Sequence, residues 1–176
     1  LLSHTKIQNF INNQLSLKMI RNNLRDIFET EKIIENTGIV LNMKVFRDDI
    51  YISYVNEIKK DCFNTSVLKA KLNFKKIIFE PVFSPKKCVK KNNPYSEFYI
   101  LEAGGALEFI DETKLFLSTG TFRYRDLAQL KDNIFGKILM ININKNSNKV
   151  ISMGHRNVQG MFYDKNRIIF NIYEIQ

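Results

Sequence analysis

Gly154-His155-Arg156-Asn157 is the part of this chain whose residue types are best suited to chemistry: an imidazole, a guanidinium and a carboxamide follow one another after a glycine. A guanidinium has permanent charge and forked donors, which suits a polyanionic ligand. Arg156 and Asn157 therefore have two readings. They hold a ligand, or they bond backbone carbonyls and fix a tight turn ahead of the next strand. His155 shares the chain with only one other histidine, His4, and no Ser or Cys nucleophile motif accompanies it. Such a histidine is expected to be packed and hydrogen-bonded rather than a general base.

Cys62 and Cys88 are the only cysteines. In a reducing compartment they would be free thiols, and in an exported β-protein one disulfide. Neither has a His or Cys neighbour at metal-ligand spacing.

The elements that must position these residues read as strands nearly everywhere past residue 36. Ile39–Phe46, Asp49–Val55, Ser66–Leu72, Phe74–Glu80, Ala106–Ile110, Lys114–Ser118, Lys137–Ile143, Val158–Asp164 and Arg167–Ile172 are short and rich in β-branched and aromatic residues. Arg47-Asp48-Asp49, Asp111-Glu112-Thr113, Asn144–Asn148 and Asp164-Lys165-Asn166 are turn-formers at hairpin spacing. Gln129–Asn133 reads as a loop or helical turn. The segment 1–35 is ambiguous. Leu15, Met19, Leu24, Ile27 and Phe28 suit one helix face, or the chain forms two strands about Arg21-Asn22-Asn23, with Ile27-Phe28 and Ile33-Ile34 in the second. Antiparallel strands without βα alternation leave sandwich, barrel or propeller.

The 176 residues carry 27 basic and 18 acidic side chains, a formal charge of +9. The excess is concentrated in residues 59–91, where ten lysines face only Asp61 and Glu80. Lysine makes up 20 of the basic residues, beside 23 Ile, 20 Asn and 4 Ala. That bias matches an AT-rich coding sequence, and phosphate and base readout would call for more arginine forks. The expectation is no nucleic-acid partner. The lysines read as solvated hairpin ends and edge-strand charges, with docking of an acidic partner as the competing reading. No apolar run is long enough to span a membrane. The chain opens Leu1-Leu2-Ser3 with no Met and no leader pattern, which reads as a processed or truncated N-terminus.

Specificity enters between Glu97 and Tyr163. Gly104-Gly105-Ala106-Leu107-Glu108-Phe109 is followed by Lys114 to Gly120, ending in Ser118-Thr119-Gly120. Then come Gly136-Lys137-Ile138-Leu139 and Gly154-His155-Arg156-Asn157-Val158-Gln159-Gly160. This order resembles the soluble quinoprotein glucose/sorbosone dehydrogenase family. Gly38-Ile39-Val40-Leu41 and Tyr51-Ile52-Ser53-Tyr54 extend the resemblance upstream, to residues 36–174.

The resemblance implies an all-β fold, a six-bladed propeller with pyrroloquinoline quinone (PQQ) over its channel and calcium holding the quinone. At about 40–50 residues per blade, this chain makes three to four blades. The expected division is 1–35, strands of an incomplete first blade, and 36–176, propeller blades completed by further blades or another chain. The resemblance also implies a periplasmic or extracellular setting, and with it a Cys62–Cys88 disulfide.

Carried over residue by residue, the family's catalytic base falls on Leu101, which cannot take a proton. Its supporting carboxylate falls on Thr121, and an arginine common after Gly-Gly falls on Ala106. Arg156 and Asn157 remain as cofactor-binding candidates, and no catalytic residue is assigned. The Glu-x-Gly-Pro turn that supplies calcium carbonyls would begin at Glu174, and no Gly-Pro follows; calcium needs six to eight oxygens. The expectation is weak or no sugar oxidation by this chain alone, with a non-catalytic propeller binding module as the alternative.

Overall fold

The computed structural model describes residues 19–30, 39–145, 147–164 and 169–174. In chain order the elements are β1 (Arg21–Asn22), α1 (Leu24–Thr30), β2 (Val40–Phe46), β3 (Asp49–Lys59), β4 (Cys62–Lys71), β5 (Lys76–Ile77), β6 (Glu80–Phe83) and β7 (Val89–Lys90). They continue with β8 (Gly104–Phe109), β9 (Lys114–Thr119), a 3-10 turn at Arg125–Ala128, β10 (Lys137–Asn142), β11 (Ser147–Met153), β12 (Val158–Asp164) and β13 (Ile169–Glu174).

These strands form two four-stranded antiparallel runs and a hairpin. The first sheet is β2-β3-β4-β6, with β7 also pairing β4; the second is β8-β9-β10-β11; β12-β13 follows. Each is an antiparallel run of strands in chain order, as in propeller blades, with longer connections at residues 72–79, which carry β5, and 120–136, which carry the 3-10 turn. Three blades are thus represented among the described residues, in agreement with the all-β propeller-segment expectation.

The sheets stack face to face because both faces of their inner strands are apolar. Tyr51, Val67 and Phe83 of the first sheet meet Leu107, Leu115, Leu117, Leu139 and Ile141 of the second. Phe46 stacks on Phe109 at 4.2 Å between ring centres, and Tyr51 meets the same ring edge-on at 4.7 Å. Two buried hydroxyls bond across this interface: Ser53 Oγ donates to the Gly105 carbonyl at 2.5 Å and Thr65 Oγ1 to the Ala103 carbonyl at 2.6 Å. The opposite face of the second sheet, through Ala106, Phe116 and Ile138, packs on Val158, Met161 and Tyr163 of the hairpin. Burial on both sides explains why β3 is buried almost throughout instead of alternating.

Several elements differ from the sequence expectation. Residues 24–30 are helical, not strand, because Leu24, Ile27 and Phe28 lie on one helix face and pack on Ile50, Ile52, Tyr54 and Leu68. Leu15 and Ile33-Ile34, part of the same question, lie outside the described residues. Phe74–Glu80 is not one strand: β5 pairs in parallel with β1, and β6 begins only at Glu80. β11 had no strand signal because it is an edge strand, largely exposed, with no buried face to impose alternation.

Cys62 and Cys88 are joined, with Cα atoms 5.3 Å apart, fastening the segment around β7 to the start of β4.

Candidate functional site: a rim of three loops

Three loops meet where β8, β9 and β12 begin or end: Tyr99–Gly105, Gly120–Tyr124 and Gly154–Asn157. Their backbones are knitted together. Gly120 N–H donates to Ala103 O at 2.7 Å, Phe122 N–H to Glu102 O at 2.9 Å, and Thr121 N–H to Arg156 O at 3.1 Å. Thr121 is therefore the bridge between the loop holding Leu101 and the turn holding Arg156.

The fit is too tight for ordinary side chains at two positions. Gly104 has φ +74°, and a Cβ there would lie 2.8 Å from the Gly120 nitrogen; a Cβ on Gly120 would overlap the Glu102 carbonyl oxygen. This accounts for the Gly-Gly and Thr-Gly signals physically: the loops can approach only if neither carries a side chain at the crossing.

Asn157 is buried, and its Oδ1 accepts the Gly104 N–H at 3.1 Å. Arg156, beside it, is exposed. The two sequence candidates therefore separate: Asn157 locks the loops, while the Arg156 guanidinium stands at the surface of the rim. His155 belongs to the turn: its N–H donates to Gly136 O at 3.1 Å and its Nε2 lies 2.8 Å from Ser152 Oγ.

Leu101 is 45% exposed on the first loop, so an alkyl group is presented where the family resemblance places a base. Thr121 Oγ1 is buried with no hydrogen-bond partner. Buried hydroxyls are nearly always satisfied, so this atom is an exception within the junction. Ala106 is not at the rim; it is buried in β8 against the hairpin, and its N–H donates to Ser118 Oγ at 2.8 Å. Glu174 is at the end of β13, opposite Val158. Among the described residues no cluster of three His, Cys, Asp or Glu side chains is placed to hold a metal.

Two features escaped the sequence reading. Arg123, at φ +72°, pairs with Glu102 at 3.2 Å and lies 4.7 Å over the Tyr99 ring. Lys137, fully buried, donates its three ammonium protons to Leu127 O, Ala128 O and Phe135 O at 2.8, 2.9 and 2.8 Å. Burial holds that ammonium below the ordinary lysine pKa. Ala128 O also accepts the Gly154 N–H at 3.0 Å, so Lys137 supports the turn from beneath. Its sequence signals were its place in the Gly136-Lys137-Ile138-Leu139 motif and directly ahead of an apolar strand run, neither of which gave its role.

A sequence profile described as glucose/sorbosone dehydrogenase matches residues 37–172. The chain belongs to the glucose/sorbosone dehydrogenase family. The match spans the two full sheets, the rim and most of the hairpin. Solved structures with a similar fold include a glucose dehydrogenase at 20% identity and TM-score 0.64, covering 80% of this chain and 48% of that one. They also include the apo form of the soluble aldose sugar dehydrogenase of Escherichia coli, at 22% identity and TM-score 0.58, covering 73% and 40%. The PQQ-bound aldose sugar dehydrogenase of Streptomyces coelicolor matches at 19% identity and TM-score 0.54, covering 73% and 38%. This family member thus spans less than half the length of each of these relatives. No curated protein sequence matches it. No described helix is long and apolar enough to cross a membrane.

In this family member the exposed Arg156 and the unsatisfied Thr121 hydroxyl belong to the same three-loop junction.

Proposed function

We propose that this chain is the quinone-turn segment of a PQQ-dependent aldose sugar dehydrogenase propeller, exported to the periplasm or cell surface, in which Arg156 holds the acidic edge of the cofactor. When bound, the quinone supplies the hydride acceptor. The observation that carries this reading is the junction at Thr121, whose N–H to the Arg156 carbonyl joins the guanidinium-bearing turn to a loop that is itself bonded, through Gly120 and Phe122, to the loop that carries Leu101.

Asn157 acts from below by fixing the Gly104 backbone, and Lys137 by holding the Ala128 carbonyl that anchors Gly154. Proton removal from a sugar hydroxyl needs a titratable group within hydrogen-bond reach. Leu101 offers none, so this segment alone oxidises sugars weakly or not at all. Residues 36–176 make up the propeller portion, and ring closure and calcium come from blades beyond it.

The test is to add PQQ and calcium, follow quinone binding by absorbance, and follow dye reduction with a panel of aldoses. The expected result is saturable binding weakened at least tenfold in Arg156→Ala, with dye reduction near background and raised in Leu101→His. Absence of quinone binding would overturn the site assignment. Rapid turnover by the unaltered chain would overturn the role given to Leu101, and Arg156→Ala binding as tightly as the parent would remove Arg156 from the site.

A further inference from the structure

The fold divides the lysine-rich stretch into two groups at opposite ends of β4, a ten-residue strand about 33 Å long. At one end Asp49 forms ion pairs with Lys69 at 2.9 Å and Lys71 at 3.0 Å, and Lys75 and Lys76 follow in the chain. At the other end the β3–β4 turn, the Cys62–Cys88 bridge and the β4–β7 pairing gather Lys59, Lys60, Lys86, Lys87, Lys90 and Lys91. Lys91 N–H donates to Asp61 O at 2.9 Å, closing the group. All six are exposed, and none forms an ion pair with a carboxylate among the described residues.

A cavity of about 360 Å³ opens within this group, walled by Val89, Pro94, Tyr124, Leu127 and Phe135, with Lys87 and Lys90 also lining it. Its size is that of a small-ligand pocket. Two carboxamides in the wall are engaged by the backbone. Asn93 bonds Glu97 O and the Tyr95 N–H, and Asn133 bonds Leu127 O, Leu130 O and the Phe135 N–H. Lys87 donates one proton to Asp132 O at 2.5 Å, which leaves it two donors.

The charge offered to a ligand is thus cationic, beside the neutral Asn92 carboxamide and Tyr124 hydroxyl, and the floor is aromatic and aliphatic. We propose that this cavity binds a small aromatic anion, its ring body on Tyr124, Leu127 and Phe135 and its acidic group between Lys87 and Lys90. Unpaired positive charge on one lip and an apolar floor below complement a flat body with a carboxylate or sulfonate at one end. Apart from Tyr124, which ends the second rim loop, the site is built from other residues than the Arg156 rim, and it stands whether or not the rim holds a quinone.

The test is fluorescence titration of the full chain with 8-anilinonaphthalene-1-sulfonate, followed by competition with 4-hydroxybenzoate, 4-hydroxybenzyl alcohol and inorganic sulfate. One saturable site is expected, displaced by the benzoate at much lower concentration than by the alcohol or sulfate. Lys87→Gln/Lys90→Gln should weaken probe binding about five- to tenfold, as expected for two partly solvated charge contacts. Lys75→Gln/Lys76→Gln, at the far end of β4, should leave it unchanged. Equal loss in both double variants, or displacement by sulfate as readily as by the benzoate, would reduce the site to nonspecific positive charge and overturn the proposal. Unsaturable binding would overturn it as well.

Discussion

Asn157 Oδ1 accepts the backbone N–H of Gly104 at 3.1 Å, across 53 residues of sequence, and so ties the start of β12 to the start of β8. Asn157→Ala leaves that buried N–H without a partner, and should lower stability by about 1–3 kcal/mol in urea unfolding. Asn157→Asp keeps an acceptor and should lose less. Arg156→Ala, at an exposed position, should leave the urea midpoint nearly unchanged while it weakens quinone binding. If the two alanine variants behaved alike in both assays, the division between locking and contacting residues would be wrong.

Lys137→Met keeps the length of the side chain and removes the donors to three carbonyl oxygens. The expected cost is about 3 kcal/mol or more, because several buried acceptors are deprived at once. Amide exchange at Gly154, whose N–H bonds the same Ala128 carbonyl, should accelerate by more than the global loss of stability accounts for.

Thr121→Val replaces the unpartnered buried hydroxyl with a methyl group of similar shape. Removing an unsatisfied polar atom should raise stability, by about 1 kcal/mol. A fall in the urea midpoint would show that Oγ1 has a partner in solution.

The Cys62–Cys88 bridge closes a loop with a sequence separation of 26. A loop of that size corresponds to about 3–4 kcal/mol of stabilisation in the chain-entropy model. Paired Cys→Ser substitution, compared with the oxidised parent by urea unfolding, should show a loss near that size. It should also loosen β7 first, since the bridge is its covalent tie to β4.

Asp111 is held down to about 2, chiefly by the backbone N–H of Thr113 and then by the Thr113 hydroxyl, against an opposing effect of burial, with the Lys114 ammonium contributing less. Its folded pKa lies below the unfolded carboxylate value near about 4, so its contribution is present above that pH. It is lost as the pH falls from about 4 towards about 2. Melting temperature should drop over this window, and the drop should shrink in Asp111→Asn, which retains a neutral acceptor for the Thr113 N–H.

What the sequence determined by itself was the material that depends on local chemistry. Alternating and continuous apolar runs separated by Asp, Asn and Gly turns placed most strands of the two sheets, with ends misplaced by a few residues, because strand character is a property of neighbouring side chains. The ordered glycine motifs led to the family, since Gly104 and Gly120 stand where two backbones cross and no other residue fits. Tertiary structure decided everything that depends on what lies opposite. A short apolar stretch became α1 because a sheet face was there to receive it, and β11 left no pattern because it is a largely exposed edge strand. Arg156 and Asn157, adjacent in the chain, took different roles because consecutive side chains point different ways, one to solvent and one into the junction. Lys137 became a buried clamp only because three carbonyls converge on it, and the lysine-rich stretch became two separate groups only because β4 carries its halves to opposite ends of a sheet.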